Sequence, residues 1–195
     1  MARLSREESQ ALTRERLLTA ARELFFKEGY ATTSVERIAD AAGYSKGAVY
    51  SNFEGKDAIL LEVLDSQGQQ CLGELCGKIE RASCAADVVE LLVDWANDRS
   101  GSGSWSLTIM EHARVAPKGA DSLKRQEEIL SGHWRQLGEC LLQQFPGITD
   151  DPETLGALLH EIAYAPAMTF VSRPTAGELM RLAMTPLLVK ASPQK

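Results

Sequence analysis

Residues 32–56, TTSVERIADAAGYSKGAVYSNFEGK, restrict one stretch of the chain to a single local arrangement: two short helices joined across a tight glycine turn. Thr33 and Glu36 have capping-box spacing, in which a hydroxyl accepts from a backbone N–H at the helix start and a carboxylate reaches back to the cap. Val35, Ile38, Ala39 and Ala42 then recur on one apolar face. Gly43 stands where a helix ends in a left-handed residue, and Ser45 is a suitable cap for a second, shorter helix. On that second helix Val49 and Phe53 point one way, and Lys46, Gly47, Tyr50 and Ser51 the other.

A face made of one lysine, one glycine, one tyrosine and one serine can approach a phosphodiester backbone closely. The lysine supplies charge, the hydroxyls donate to phosphate oxygens, and glycine removes the side chain that would hold the backbones apart. Two helices across a short turn, the second presented outward, form the helix-turn-helix arrangement. The plainer alternative, a capped hairpin whose polar face meets only water, stays open on these residues alone.

The same string resembles the DNA-binding segment of the TetR family of bacterial transcriptional regulators. A first helix ending near Phe25, Gly29 and Tyr30 is followed by a "TTS…IA..AG.SKG..Y..F..K" pattern that runs through Lys56. The resemblance is strong over residues 10 to 65 and persists beyond them only as helical rhythm. Asn52 departs from it, standing where many members carry histidine or tyrosine. The resemblance implies an N-terminal domain that reads DNA, a helical body with an inducer cavity, a homodimer, and a phosphate contact from Lys56.

Composition agrees once charge is located rather than summed. The net charge is −6, but nine cations face eight anions through Lys56, and twelve face nineteen in the remainder. A near-neutral N-terminal part needs only to gather its cations on one face, while the acidic remainder is kept off a polyanion. The chain has 195 residues, 44% of them hydrophobic, and no apolar run of membrane-spanning length. MARLSREESQ lacks the apolar core of a signal peptide, so a cytoplasmic location without membrane attachment is expected. The four cysteines, at 71, 76, 84 and 140, have neither CxxC spacing nor a matching histidine pair. No zinc site is expected, nor any other metal or cofactor.

Along the chain, residues 1–9 read as a loose polar arm and residues 10–28 as a first helix stopped by Gly29. That helix lends Arg14 or Arg22 at most to a backbone contact. Lys56 falls in the first turn of a long helix over 57–80, where free N–H groups favour an anion. Further helices are expected near 85–98, 105–115, 120–145, 151–171 and 175–191. RSGSGS (99–104) breaks the fifth, and Pro166 kinks the eighth. The SPQK tail is expected to be disordered. No strand pattern appears. The expected fold is all-α, with about nine helices: a helix-turn-helix domain over 1–53, and a ligand-binding and dimerisation domain over 54–195 linked to it by the helix at 57–80.

The chemistry-bearing residues are read in that frame. Thr33, Ser34, Ser45, Tyr50, Ser51, Asn52 and Lys56 are assigned to phosphate, and Lys46, Gly47 and Ala48 to base edges, Ala48 being suited to a thymine methyl. Trp95, Trp105, Ile109, His112, Trp134, Tyr164 and Met168 are the candidates for lining a ligand pocket, against the alternative that they are ordinary core. Glu111-His112 is not part of an HExxH motif, and His133 and His160 are isolated, so structural histidines are favoured over catalysis. Leu155, Leu158, Leu159, Ile162, Pro166, Phe170, Leu179, Leu182 and Leu187 make the last two helices apolar enough to form half of a four-helix dimer bundle, with internal packing as the alternative. Cys76 and Cys84 flank a turn and are the pair placed to bridge, but no neighbouring cation is evident to activate a thiol. The expected function is a ligand-responsive, homodimeric repressor that binds a pseudo-palindromic double-stranded operator and is released by a small-molecule inducer. The alternatives are an all-α carrier or enzyme, a non-specific DNA binder, and a redox-responsive regulator using its cysteines.

Overall fold

The computed structural model describes residues 5–101 and 104–191. Among them are nine α-helices and no strand: α1 Arg6–Thr32, α2 Val35–Ala42, α3 Lys46–Tyr50, α4 Lys56–Glu80, α5 Ala85–Gly101, α6 Ser104–Val115, α7 Asp121–Gln144, α8 Pro152–Thr169 and α9 Ala176–Ala191. They form two compact units. The first ends at Ser66 and takes back Leu107–Gln126; the second holds Gln67–Ser106 and everything from Glu127 onward. By packing, the division falls inside α4, α6 and α7 rather than between helices.

The first unit is built on α1. Ser5 accepts from the Glu8 backbone N–H and the Glu8 carboxylate accepts from that of Ser5, so the helix starts at Arg6, inside the stretch expected to be loose. Residues 1–4 lie outside the described residues. Leu17, Ala21 and Phe25 on α1 are fully buried, as are Ile38 on α2, Val49 on α3, and Ile59 and Leu60 on α4. Gly29 interrupts α1 with φ 79° and ψ 177°, a conformation that costs glycine little, before a last turn to Thr32.

The second unit has its own core. Leu72, Leu75 and Ile79 of α4 meet Val88, Val89, Leu92, Val93 and Ala96 of α5, Leu137 and Leu141 of α7, Leu155 and Leu159 of α8, and Met180, Met184 and Leu188 of α9. Two glycines bring α7 and α8 together. A Cβ on Gly156 would stand 1.8 Å from the Trp134 carbonyl oxygen, and one on Gly138 would stand 1.8 Å from that of Pro152. Each pair is four residues on in one helix and four back in the other, so the helices run antiparallel with their backbones touching.

Among the expectations about helices and cysteines, the two about the thiols need correction. The break expected at RSGSGS falls inside that stretch, since α5 ends at Gly101 and α6 begins at Ser104; Ser102 and Gly103 lie outside the described residues, as does the SPQK tail. α8 holds Pro166 in its last turn and ends at Thr169, so the missing N–H costs only one late hydrogen bond. Cys76 meets Cys140 across α4 and α7, not Cys84, and all four cysteines are free thiols. A cation does approach one of them: Arg99 Nη1 donates to Cys71 Sγ at 3.5 Å.

The dimer candidates divide by burial. Leu155, Leu159 and Pro166 are buried within the second unit, because one face of α8 is packed inward alongside α5. Ile162, Leu179 and Leu187 are half-buried. Leu158, Phe170 and Leu182 are exposed, joined by Val171 and Val189; Phe170 is 80% and Leu182 76% accessible.

The glycine contacts give opposite signs for one kind of substitution. Gly156→Ala places a methyl against a backbone oxygen that cannot swing away, and is expected to destabilise by about 1–3 kcal/mol. Gly73→Ala, on exposed α4 with nothing within 4 Å of the new methyl, gains helix propensity and is expected to stabilise by up to about 1 kcal/mol. Urea denaturation of the two variants checks both directions.

Candidate nucleic-acid interface

The α2–α3 pair is set by its caps. Ser34, not Thr33, is the N-cap of α2: its hydroxyl accepts from the Arg37 backbone N–H at 3.3 Å. Thr33 is 1% accessible and its hydroxyl donates to the Gly29 carbonyl at 2.8 Å. This corrects the assignment of Thr33 to phosphate and to a capping box, since a hydroxyl already closing the turn after Gly29 does not face solvent. Gly43 ends α2 at φ 75°, ψ 30°, its N–H reaching Ala39 and Asp40 carbonyls. Ser45 caps α3, accepting from the Ala48 N–H at 3.2 Å.

These caps leave Ser45, Lys46, Gly47, Tyr50 and Ser51 exposed, with Ser34, Ala48, Asn52 and Lys56 half-buried. Val49 and Phe53 turn inward, as their spacing requires. The Ser51 hydroxyl donates to the Gly47 carbonyl at 2.9 Å, and Asn52 Nδ2 donates to the Ala48 carbonyl at 2.8 Å. Lys46 is bound by Glu36 across the turn and lies 5.7 Å from the Tyr50 ring centre. The hydrogen bond from Lys46 is the first cause that takes Glu36 down to about 2, and the same contact holds the lysine above its ordinary value. Both groups therefore stay charged across the physiological range.

Lys56 is placed differently from the rest. Its ammonium donates to the Tyr30 carbonyl at 2.9 Å and the Thr33 carbonyl at 3.0 Å, and sits 3.8 Å from the Tyr30 ring centre. Burial lowers its pKa, against the pull of Asp57 and Glu111. In this arrangement it fastens the end of α1 to the start of α4. Arg14, expected to reach outward, does likewise: it binds Glu62 and the Asn52 carbonyl and covers the Phe53 ring at 4.2 Å.

Sequence reasoning missed the group that backs this framework from α6. Glu111 Oε2 accepts from the Ala31 N–H at 3.0 Å, closing a donor left open by the bend at Gly29. Thr108 donates to the Phe25 carbonyl at 3.0 Å. His112 is fully buried; its Nδ1 donates to Gln126 Oε1 at 2.7 Å, its Nε2 lies 3.6 Å from Asp57 Oδ2, and the Tyr30 ring meets it edge-on at 5.1 Å. Tyr30 in turn donates to Asp57. Burial acts first to raise the Asp57 pKa, but hydrogen bonds from Tyr30 and Ser122 and the His112 ring bring it below its usual value. Burial and Asp57 together raise that of Tyr30. The partners are 80 residues apart in sequence for Glu111 and Ala31, so no local spacing could announce them.

The expected ligand-pocket residues are divided between the two units. Ile109 and His112 belong to the first unit, and Trp105, Trp95, Trp134, Tyr164 and Met168 to the second. His112 is corrected: a ring with no exposed surface, held by Tyr30 and Gln126, is core rather than lining. Within the second unit, Trp95 and Tyr164 are linked through His160, whose ring meets Trp95 edge-on at 5.3 Å and stacks on Tyr164 at 5.8 Å. Among the described residues no group of three or more side chains could hold a metal ion, and no helix is long and apolar enough to cross a membrane.

Comparison with known proteins gives this geometry a context. Residues 17–63 match the family described as "Bacterial regulatory proteins, tetR family". The chain is 37% identical over 92 residues to the HTH-type transcriptional regulator TtgR of Pseudomonas putida, covering 47% of this chain and 41% of that one. It is 27% identical over 114 residues to the HTH-type transcriptional regulator UidR of Escherichia coli, covering 58% of each. The matched stretch thus spans about half the length of these relatives. Among solved structures, Salmonella enterica GusR has a TM-score of 0.66 at 21% identity, over 96% of this chain and all of the other. The transcriptional regulator FadR from Bacillus subtilis, in complex with stearoyl-CoA, has a TM-score of 0.62 at 18% identity, over 89% of this chain and 97% of that one. These two show a shared fold. Residues 17–63 therefore carry a segment of the family described as bacterial regulatory proteins of the tetR family, on an all-α fold shared with solved structures.

Proposed function

We propose that the chain is a DNA-binding transcriptional regulator that acts as a homodimeric, ligand-released repressor. The observation that carries the reading is the exposed face of α3: Lys46, Gly47, Tyr50 and Ser51 side by side behind the Ser45 cap, with Val49 anchoring the helix from beneath. α3 enters the major groove, Gly47 and Ala48 approach the base edges, and Ser34, Ser45, Tyr50 and Ser51 hold phosphates. Lys46 leaves Glu36 for the DNA. Lys56 and Asn52 act by fixing the ends of α1 and α3 as well as by facing the backbone. A DNA partner implies a cytoplasmic location.

Two copies are needed to read a pseudo-palindrome whose half-sites lie about 34 Å apart, or a multiple of that. Leu158, Phe170 and Leu182, with Val171 and Val189, are the apolar side chains of α8, α9 and their connection that remain outside the core, and they supply the pairing surface. A small molecule held by the second unit releases the operator by favouring the form that does not fit it. Coupling of about 1–3 kcal/mol weakens DNA binding about 5- to 150-fold. TtgR and UidR are named as transcriptional regulators, which supports regulation over the carrier and enzyme alternatives.

The first test uses duplexes selected by the purified chain from a random library. Lys46→Ala is expected to weaken binding to the selected duplex and to lower the salt slope by about 1. Tyr50→Ala weakens binding without changing the fold, as circular dichroism would show. Glu36→Gln removes the competitor for Lys46 and is expected to tighten binding a few-fold; weaker binding by Glu36→Gln would argue against Lys46 on phosphate or base. In sedimentation, Leu182→Glu with Phe170→Glu is expected to shift a dimer toward monomer and to reduce operator affinity with it.

A further inference from the structure

A second polar cluster lies inside the second unit, where four helices contribute side chains. α5 supplies Trp95 and Arg99, one turn apart, and α8 supplies His160 and Tyr164 at the same spacing. Cys71 comes from α4, and α7 adds His133, whose ring fills the space in front of Gly68. The rings form a continuous run: Trp95 edge-on to His160 at 5.3 Å, and His160 stacked on Tyr164 at 5.8 Å. Arg99 closes it, reaching the Tyr164 hydroxyl and donating to Cys71 Sγ at 3.5 Å.

The cluster has a cation but little to balance it. The one carboxylate bound to Arg99 is Asp98, 3.1 Å away, on a side chain that is 69% accessible while that of Arg99 is 24%. The inner side of the guanidinium meets a cysteine sulfur and the Tyr164 hydroxyl, neither of them a carboxylate. Its Nε is buried with no hydrogen-bond partner, and so is Nε2 of His160. A buried donor left unsatisfied is destabilising, more so when charged, and that loss is recovered when an acceptor arrives. Burial, with His133 and Arg99 nearby, brings the His160 pKa to about 3, so the ring is neutral and donates from Nε2 in the tautomer that carries its proton there.

We propose that this cluster is a binding site for an organic carboxylate with a flat apolar body, its carboxylate taken by Arg99 and His160 and its body by the ring run from Trp95 to Tyr164. The guanidinium fork matches two carboxylate oxygens, which a neutral amide cannot reproduce. The planar side chains supply stacking and edge contacts for an aromatic body. The proposal rests on the reading of the second unit as the part that senses a small molecule, and adds to it the chemistry of the molecule and the residue that anchors it.

The test is calorimetric titration of the full chain with benzoate and 1-naphthoate, each against its primary amide. Binding of at least one acid, with its amide at least tenfold weaker, is expected. Arg99→Gln should lose that preference and Arg99→Lys, which keeps charge without the fork, should keep part of it. Equal binding of acid and amide by the unaltered chain overturns the proposal without reference to any variant, as does an Arg99→Gln protein of unchanged melting temperature that still prefers the acid. Affinity for the selected duplex is measured on the same samples. A chain that holds the duplex but binds neither acid overturns this site alone; a chain that binds 1-naphthoate with the predicted preference but never binds a duplex supports the site and overturns the DNA reading.

Discussion

The position of the α2–α3 pair depends on one ammonium group. Lys56 donates to the carbonyls of Tyr30 and Thr33 while resting on the face of the Tyr30 ring, so the bend after Gly29 is held at both its backbone and its side chain. Hydrogen bonds from a charged donor are worth about twice neutral ones, and a cation over a desolvated ring adds to that. Around it, Asp57 takes the Tyr30 hydroxyl and Glu111 takes the Ala31 N–H. Polar groups freed by the bend are thereby satisfied from α4 and α6. Without that closure, the bend would leave open donors next to the core of the first unit, and α2 would have no fixed starting point.

Much of this is legible from local spacing. The apolar positions Val35, Ile38 and Ala39 face inward, Gly43 takes the left-handed conformation, and Ser45 caps the helix that follows. Such features involve residues within four of one another, where hydrogen-bond geometry follows from sequence order. Spacing misplaces the cap of α2 by one residue, because Thr33 and Ser34 both carry the required hydroxyl. What separates them is that Thr33 already bonds back to Gly29. That preference belongs to the preceding helix, and the spacing of the cap alone does not contain it.

The larger misreadings share a cause. An arginine in the place of Arg14 usually meets solvent, which favours DNA as its partner, yet it spends its donors on a carboxylate and a carbonyl of its own chain. Helical spacing groups His112 with Trp105 and Ile109, but its ring is enclosed by Tyr30 and Gln126. On α8, Leu155 and Leu159 belong to the internal face and Leu158 to the outer one, though all three are leucine. Side-chain type fixes what a residue can do, whereas long-range packing decides which of its uses is taken. Arg99 and His160 escape sequence reading for the same reason: neither stands out by itself, and only packing leaves each with an unpartnered buried nitrogen in one cluster.

The glycine contacts between α7 and α8 bear on how the second unit can respond to anything it holds. Where Trp134 meets Gly156 and Gly138 meets Pro152, main chain rests on main chain, with no side chain between them to change rotamer and absorb a shift. Backbone atoms in contact slide poorly, because both faces are corrugated by fixed carbonyls. The two helices should therefore behave as a single plate. His133 and His160 ride on that plate and Arg99 does not, so a molecule gripped by both would tie α5 to the plate.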